Sequence, residues 1–268
     1  MNLQDKVVVV TGGGNGLGRQ LVLELLRRKA RVAAADINES ALTETRALAA
    51  DLGQNLTTHV LNITDSAAVA AFPHQIIDRH GQVDGLINNA GIIQPFVRLA
   101  ELEDAAIERV MQINFFGPLQ MTRAFLPCLK ERPVAHITNI SSMGGFLPVP
   151  GQTIYGASKA AVKLMTEGLH SELRGTTVHV TLALPGAMHT NIAVNSGIQI
   201  DPEMASQQKD YQALPADEAA CIILDAMEKD RYRVLVGKDA RFMDLIYRLS
   251  PERAAGFIFK KMRALLPD

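Results

Sequence analysis

With 268 residues the chain can bury a sizeable core without disulfide staples, and 47% hydrophobic against 21% charged residues excludes a disordered composition. A net charge of −1 and a pI near 6.7 give no basic field for nucleic acid. Only two cysteines occur, Cys128 and Cys221, outside any CxxC or Cys/His cluster, which excludes a disulfide scaffold or structural zinc and fits a reducing compartment. The seven histidines show no HExxH or HxH spacing, so no catalytic metal is expected. The first residues lack the pattern of a signal peptide, and no apolar run approaches the ~18 residues of a membrane span, so a cytoplasmic protein is expected.

The first predicted element is a strand over Lys6–Thr11, whose four valines form the continuous apolar run of a strand covered on both faces. A glycine turn, 12–18, leads to a helix ending near Lys29, with Leu17, Leu21 and Leu25 at helical spacing. Strand Arg31–Asp36 and an alanine- and leucine-rich helix to about Leu52 follow. The alternation continues with strand Leu56–Asn62, helix Asp65–His80, strand Val83–Asn88 and a long helix from about Leu102 to Glu131. Strand Ala135–Ser141, helix Thr153–Arg174, strand Val178–Leu184, helix Pro215–Lys229 and strand Val234–Val236 complete it. Strands alternating with helices predict an α/β fold, a doubly wound parallel sheet in one domain, with ligands at the carboxyl ends of the strands.

The turn Gly12-Gly13-Gly14-Asn15-Gly16-Leu17-Gly18 joins the first strand to the first helix. Glycines there let the backbone turn tightly and approach a pyrophosphate resting on the helix N-terminus. The second strand ends on Asp36, 18 residues after Gly18, where a carboxylate can accept both ribose hydroxyls of an adenosine. Together these features point to dinucleotide binding. The carboxylate would repel a 2′-phosphate, and neither Asn15 nor Ile37 offers a cation, which favours NAD(H) over NADP(H).

Of four tyrosines only Tyr155 has a lysine four residues later, Lys159, on the same helix face. An ammonium beside a phenol lowers the phenol pKa from about 10, so that it can exchange a proton with an alcohol or ketone. Thirteen residues upstream, at the end of a strand, Ser142 could hold the substrate oxygen.

In order and interval these residues resemble the short-chain dehydrogenase/reductase family. The resemblance runs through Thr11-Gly12-xxx-Gly16-x-Gly18, Asp36, Asn88-Asn89-Ala90-Gly91, Asn114, Ser142, Tyr155-xxx-Lys159 and Pro185-Gly186, nearly the whole chain. It implies Tyr155 as general acid/base, Ser142 polarising the substrate oxygen, and Lys159 lowering the Tyr155 pKa and holding the nicotinamide ribose. It further implies Asn114 organising a water-linked proton path behind Lys159, with Ser141 a structural partner of Ser142. NAD is expected along Gly12, Asn15, Gly16, Leu17 and Gly18, then Asp36, Asn62 and Ile63. Asn89, Ala90 and Gly91 would support it, and Pro185, Gly186, Met188 and Thr190 would line the nicotinamide. Asn62 departs from the aspartate common in the family, although its oxygen can still accept from the adenine amine. Dimers or tetramers are implied, paired through the helices carrying Asn114 and Tyr155.

Around the reactive centre the expected substrate pocket comprises Gln94, Pro95, Phe96, Met143, Phe146 and Leu147, then Val149, Gln152, Ala187, Ile192 and Met204. This mostly apolar set, without an arginine to clamp an acid, favours a lipophilic alcohol or ketone. The loosely patterned stretch 187–215, which holds His189, is the expected lid. Beyond about residue 239 the chain extends as two amphipathic helices, one with Phe242, Leu245, Ile246 and Leu249, the other with Ile258, Met262, Leu265 and Leu266. Both stripes are expected against the chain's own core, the pocket or a neighbouring subunit, ahead of a membrane surface. An NAD-dependent alcohol dehydrogenase or ketone reductase is the leading reading. A catalytically silent NAD-binding sensor or scaffold is disfavoured by the intact Asn114, Ser142, Tyr155 and Lys159. A 3-ketoacyl-thioester reductase is disfavoured by Asp36.

Overall fold

The computed structural model describes residues 1–188, 192–198 and 213–262. Seven strands form one parallel sheet in the order β3-β2-β1-β4-β5-β6-β7: β1 Val7–Thr11, β2 Arg31–Asp36, β3 Leu56–Val60, β4 Gly85–Asn88, β5 Ala135–Ile140, β6 Val178–Pro185 and β7 Arg233–Val236. Strands β1, β4 and β5 are buried throughout, and the four valines of β1 form the apolar run such a strand calls for. Alternate residues feed two cores. Val8, Val10, Val32 and Ala34 pack under α1 (Gly16–Arg27) and α8 (Ala216–Glu228). On the other face Val7, Val9, Ala33 and Ala35 meet α3 (Ser66–His80), α5 (Gly117–Lys130) and α6 (Thr153–Glu172). A parallel sheet covered on both faces is the doubly wound architecture the sequence predicts.

The strand order reverses between β1 and β4, and ligands of such sheets bind outside the strand ends at that point. Helix α2 (Glu39–Ala49) follows β2 and is capped by Asn38, whose side chain accepts from the Ala41 N–H. The predicted long helix before β5 is three pieces: α4 (Asp104–Met111), a π turn over Gln112–Phe116, and α5. The wide turn carries Asn114, and π turns mark functional sites often enough to direct attention there.

A third cluster lies outside the two main cores. Leu147, fully buried, packs with Met243 of α9 (Lys238–Leu249) and with Ala254 and Ile258 of α10 (Pro251–Met262). Of the stripe expected to face inward on α9, Ile246 packs against this cluster, whereas Phe242, Leu245 and Leu249 are exposed, and Ala240, Met243 and Asp244 are buried in their place. The reason is an anchor of charge. Arg233 on β7 donates two bonds to the Asp244 carboxylate, at 2.6 and 3.1 Å, which turns that side of the helix inward. Among the described residues no helix is long and apolar enough to cross a membrane.

Candidate active site

The glycine turn is shaped for a close approach. Gly12 and Gly16 sit at φ of 67° and 51°, the left-handed region that favours glycine. A Cβ on Gly18 would fall on the Gly12 carbonyl oxygen, so the helix start and the turn touch without room for a methyl group. Asn15 caps α1 by accepting the Gly16 N–H at 2.7 Å. Asp36, at the end of β2, faces the same turn: its carboxylate accepts the Gly14 N–H at 2.9 Å and the Asn38 N–H at 3.0 Å. Arg19 is drawn elsewhere, to Gly14 O, Thr45 and Glu44.

The loop after β4 is fixed to this turn and to the π turn. The Thr11 hydroxyl accepts the N–H groups of Asn89 and Ala90 at 3.0 and 3.1 Å, and the Asn89 amide donates to the carbonyls of Thr11 and Gly12. Asn114, fully buried, accepts the Ile92 N–H at 2.8 Å and donates to Ile92 O at 2.9 Å and Ser158 Oγ at 3.0 Å. Ser158 Oγ in turn donates to the Tyr155 carbonyl at 2.7 Å. A Cβ on Gly91 would lie 3.1 Å from Lys159 Nζ and 3.3 Å from Asn114 Oδ1, so a small gap joins these two groups.

At the centre Ser142 and Tyr155 lie together at the cavity wall, both against Gly144, and Ser142 Oγ accepts the Gly144 N–H at 3.0 Å. Lys159 is buried, donates to Ile140 O at 3.1 Å, and sits 6.0 Å from the centre of the Tyr155 ring. Ser141 Oγ donates to the Lys159 carbonyl at 2.7 Å, joining strand end to helix. Burial lowers the Lys159 pKa to about 8. Burial raises the Tyr155 pKa, and the neighbouring Ser142 hydroxyl opposes that shift. The lysine was expected to pull the phenol down; in the chain by itself desolvation wins and the phenol stays up.

A cavity of about 580 Å³ connects the glycine turn, Asp36, Asn89, Ser142, Tyr155 and Lys159. Among its described lining residues Arg109 and Lys159 are the cations and Asp36 the acid.

The family model described as short chain dehydrogenase matches residues 6–200. The chain is 34% identical over 255 residues to a putative oxidoreductase, SadH, of Mycobacterium tuberculosis, covering 92% of each chain. It belongs to the short-chain dehydrogenase family. It is also 34% identical to dehydrogenase/reductase SDR family member 7B of Rattus norvegicus, covering 87% of this chain and 74% of that one. Among solved structures, a family member from Burkholderia phymatum in complex with NAD has a TM-score of 0.83 at 26% identity, covering 93% of this chain and 96% of that one. One from Burkholderia cenocepacia in complex with NADP has a TM-score of 0.80 at 29% identity, covering 96% and 99%. The protein is therefore an oxidoreductase of this family, whose structural neighbours bind NAD or NADP.

The structure brings the four expected catalytic side chains together, Asn114 linked through Ser158 to Tyr155, with Ser142 and Lys159 beside them. Leu17, Ile63, Ala90, Gly91, Pro185, Gly186 and Met188 border the cavity. Asn62 borders it too, but its oxygen already accepts the Thr64 N–H and hydroxyl, at 3.0 and 2.8 Å, and is not free for an adenine amine. Thr190, His189, Met204, Leu265 and Leu266 lie outside the described residues.

The expected substrate pocket is largely redrawn. Ile192 lines the cavity, whereas Gln94, Phe96, Met143, Phe146, Leu147, Gln152 and Ala187 do not. Met143, Phe146 and Leu147 pack on α9 and α10 instead, Phe146 against the Tyr247 ring at 6.0 Å. Ala187 is exposed and donates its N–H to Asp239 at 2.7 Å. Gln94 is fully buried as a cap. Its side-chain oxygen accepts the N–H groups of Ile154 and Tyr155 at 2.8 and 2.9 Å, and its amide donates to Gly151 O at 3.0 Å. Gln152, the residue before α6, makes no side-chain cap bond; its amide donates to Gln94 O at 2.7 Å. Several cavity-lining residues escaped the sequence reading, among them Ile92, Ile93, Ile113, Arg109 on α4 and Asn195 on α7 (Ile192–Asn195). Arg109, five residues before Asn114 on one helical run, was the available signal.

Proposed function

We propose that the protein transfers a hydride between NAD(H) and a lipophilic secondary alcohol or ketone, with Tyr155 as general acid/base. The observation that carries this reading is that Ser142 and Tyr155 meet beside Gly144 at the wall of the cavity that starts at the glycine turn, with Lys159 buried beside them. The residues present fit the cofactor: Gly12, Gly16 and Gly18 let the turn fold tightly against the start of α1 at the cavity wall, and Asp36 offers a carboxylate. Gly12 to Gly18, Asp36, Asn89 to Gly91, Pro185, Gly186 and Met188 would hold it. NAD is favoured because Arg19 is committed to Gly14 and Glu44, leaving no lining cation next to Asp36 among the described residues. Bound nicotinamide supplies the hydride acceptor or donor.

The chain's own groups move the proton. The Ser142 hydroxyl orients the substrate oxygen towards the Tyr155 oxygen, which takes the proton as phenolate in oxidation and gives it as phenol in reduction. Lys159 brings a positive charge to a water-poor site, where it stabilises a phenolate strongly. Asn114 holds the Ile92 loop and Ser158, and so the Tyr155 backbone, in register. Ile92, Ile93, Ile113, Met188 and Ile192 give the cavity an apolar wall, which supports a lipophilic substrate. Phe116 and Leu164, exposed on the two helical stretches expected to pair between subunits, support a homo-oligomer.

Absorbance at 340 nm with NAD⁺ and NADP⁺ against a panel of secondary alcohols tests the reading. Turnover with NAD⁺, reduced at least ~10²-fold in Tyr155→Phe while NADH binding persists, is expected. Turnover confined to NADP⁺ overturns the cofactor assignment, and undiminished turnover in Tyr155→Phe overturns the mechanism.

A further inference from the structure

Helices α9 and α10 present a surface that the catalytic reading does not use. Phe242, Leu245 and Leu249 on α9 are 55%, 59% and 78% exposed, and their i, i+3, i+7 spacing sets them in one stripe. Phe257 and Phe259 on α10 are exposed as well. Isolated exposed apolar residues need no explanation, but five large ones on one helix pair do.

The charge around them is one-sided. Residues 238–262 contain six lysines and arginines against three acids. Two of those acids are used inward: Asp239 accepts the Ala187 N–H, and buried Asp244 is held by Arg233. Glu252 is the acid left exposed, whereas Lys238, Arg241, Arg248 and Arg253 are all exposed. Of these, Arg248 reaches Asp244 at 3.8 Å.

We propose that this helix pair docks the protein on an anionic membrane surface. A second copy of the chain is a poorer occupant, because a two-fold contact through this face would bring two copies of the same basic patch together. Anionic headgroups neutralise those arginines while Phe242, Leu245 and Leu249 enter the acyl boundary. The placement suits the site. Met143 and Phe146 flank the turn after Ser142 and pack on the same helices, and Asp239 ties α9 to the loop after β6. Docking would bring the catalytic end of the sheet close to lipid. That an apolar substrate arrives from the bilayer rests on the proposed reaction, whereas the docking does not.

Flotation of the full chain with phosphatidylcholine vesicles, with and without phosphatidylglycerol, separates the possibilities and needs no turnover. The chain is expected to float with the anionic vesicles alone and to be released by salt. Leu245→Ser with Leu249→Ser, or Arg241→Gln with Arg253→Gln, should each weaken binding about tenfold or more. Because the chain has no tryptophan, Phe242→Trp gives a single reporter whose emission should shift to the blue on anionic vesicles. Flotation absent from both vesicle types overturns the proposal, as does binding that neither double variant weakens. A smaller oligomer in the Leu245→Ser, Leu249→Ser variant, without flotation of the parent chain, assigns the face to a second copy.

Discussion

Replacing Gln94 by leucine keeps the size of the side chain and removes its polar atoms from a fully buried position. Two N–H groups, of Ile154 and Tyr155, and the Gly151 carbonyl then lose their partner. Each buried polar group left unpaired costs about 1–3 kcal/mol, so the loss is about 3–6 kcal/mol at the lower and middle parts of that range. Burying leucine's extra apolar surface returns about 1–2 kcal/mol. A net destabilisation of about 2–4 kcal/mol follows, or roughly 5–15 °C in Tm for a chain of this size. Urea unfolding followed by circular dichroism measures it. Amide hydrogen exchange adds a local reading, with Ile154 and Tyr155 losing protection while the β1 and β4 amides keep theirs. Gln94→Ala, which lets water reach the freed groups, should cost less. A leucine variant within about 0.5 kcal/mol of the parent, inside the usual range for surface changes, would refute the capping role.

Lys159 has a folded pKa of about 8 against 10.5 in its ordinary state. Between those values the unfolded chain holds a proton that the folded chain lacks, so stability should rise as pH increases from about 8 to about 10. Above about 10 the raised Tyr155 pKa works in the opposite sense, since the unfolded phenol ionises first. Lys159→Met should flatten the rise and leave the protein more stable near neutral pH but inactive; denaturant midpoints across that range check it, and a slope that persists in the variant removes the lysine as its source. The raised phenol also predicts that alcohol oxidation accelerates with pH while ketone reduction does not, which initial rates in both directions would show. Gly18→Ala should cost at least ~2 kcal/mol and abolish NADH binding, because the methyl group meets the Gly12 backbone and helix propensity returns only about 1 kcal/mol. Calorimetry on that variant, with and without NADH, would expose an error. Asp36→Ser with Ile37→Arg should raise the NADP⁺ to NAD⁺ ratio of kcat/KM about tenfold or more, since arginine accommodates the 2′-phosphate; an unchanged ratio would mean Asp36 does not read the ribose.

What the sequence makes legible, and what it hides, divides along a physical line. Strand β1, the glycine turn and Asp36 lie within one local unit, where apolar runs, left-handed turns and strand ends leave their mark on neighbouring residues. Tyr155 and Lys159 are legible for the same reason, because four residues on one helix fix their relation. Gln94 was misread because its partners lie 57 to 61 residues away, and a cap delivered across that distance has no local spacing to betray it. Apolar neighbours suggested a pocket wall, yet the buried amide is there to satisfy the first turn of α6, since Gln152 leaves that turn without a cap of its own. The π turn was hidden because one wide turn only shifts the apolar period and leaves the helix readable on both sides. On α9 the period holds, but of the expected inward stripe only Ile246 packs on the fold. A hydrophobic stripe ordinarily identifies the inward face, but the ion pair between Arg233 and Asp244 fixes the rotation here, and Ala240 and Met243 fill the contact. Periodicity establishes that a helix has two faces; which of them meets the fold is decided by a partner on another strand.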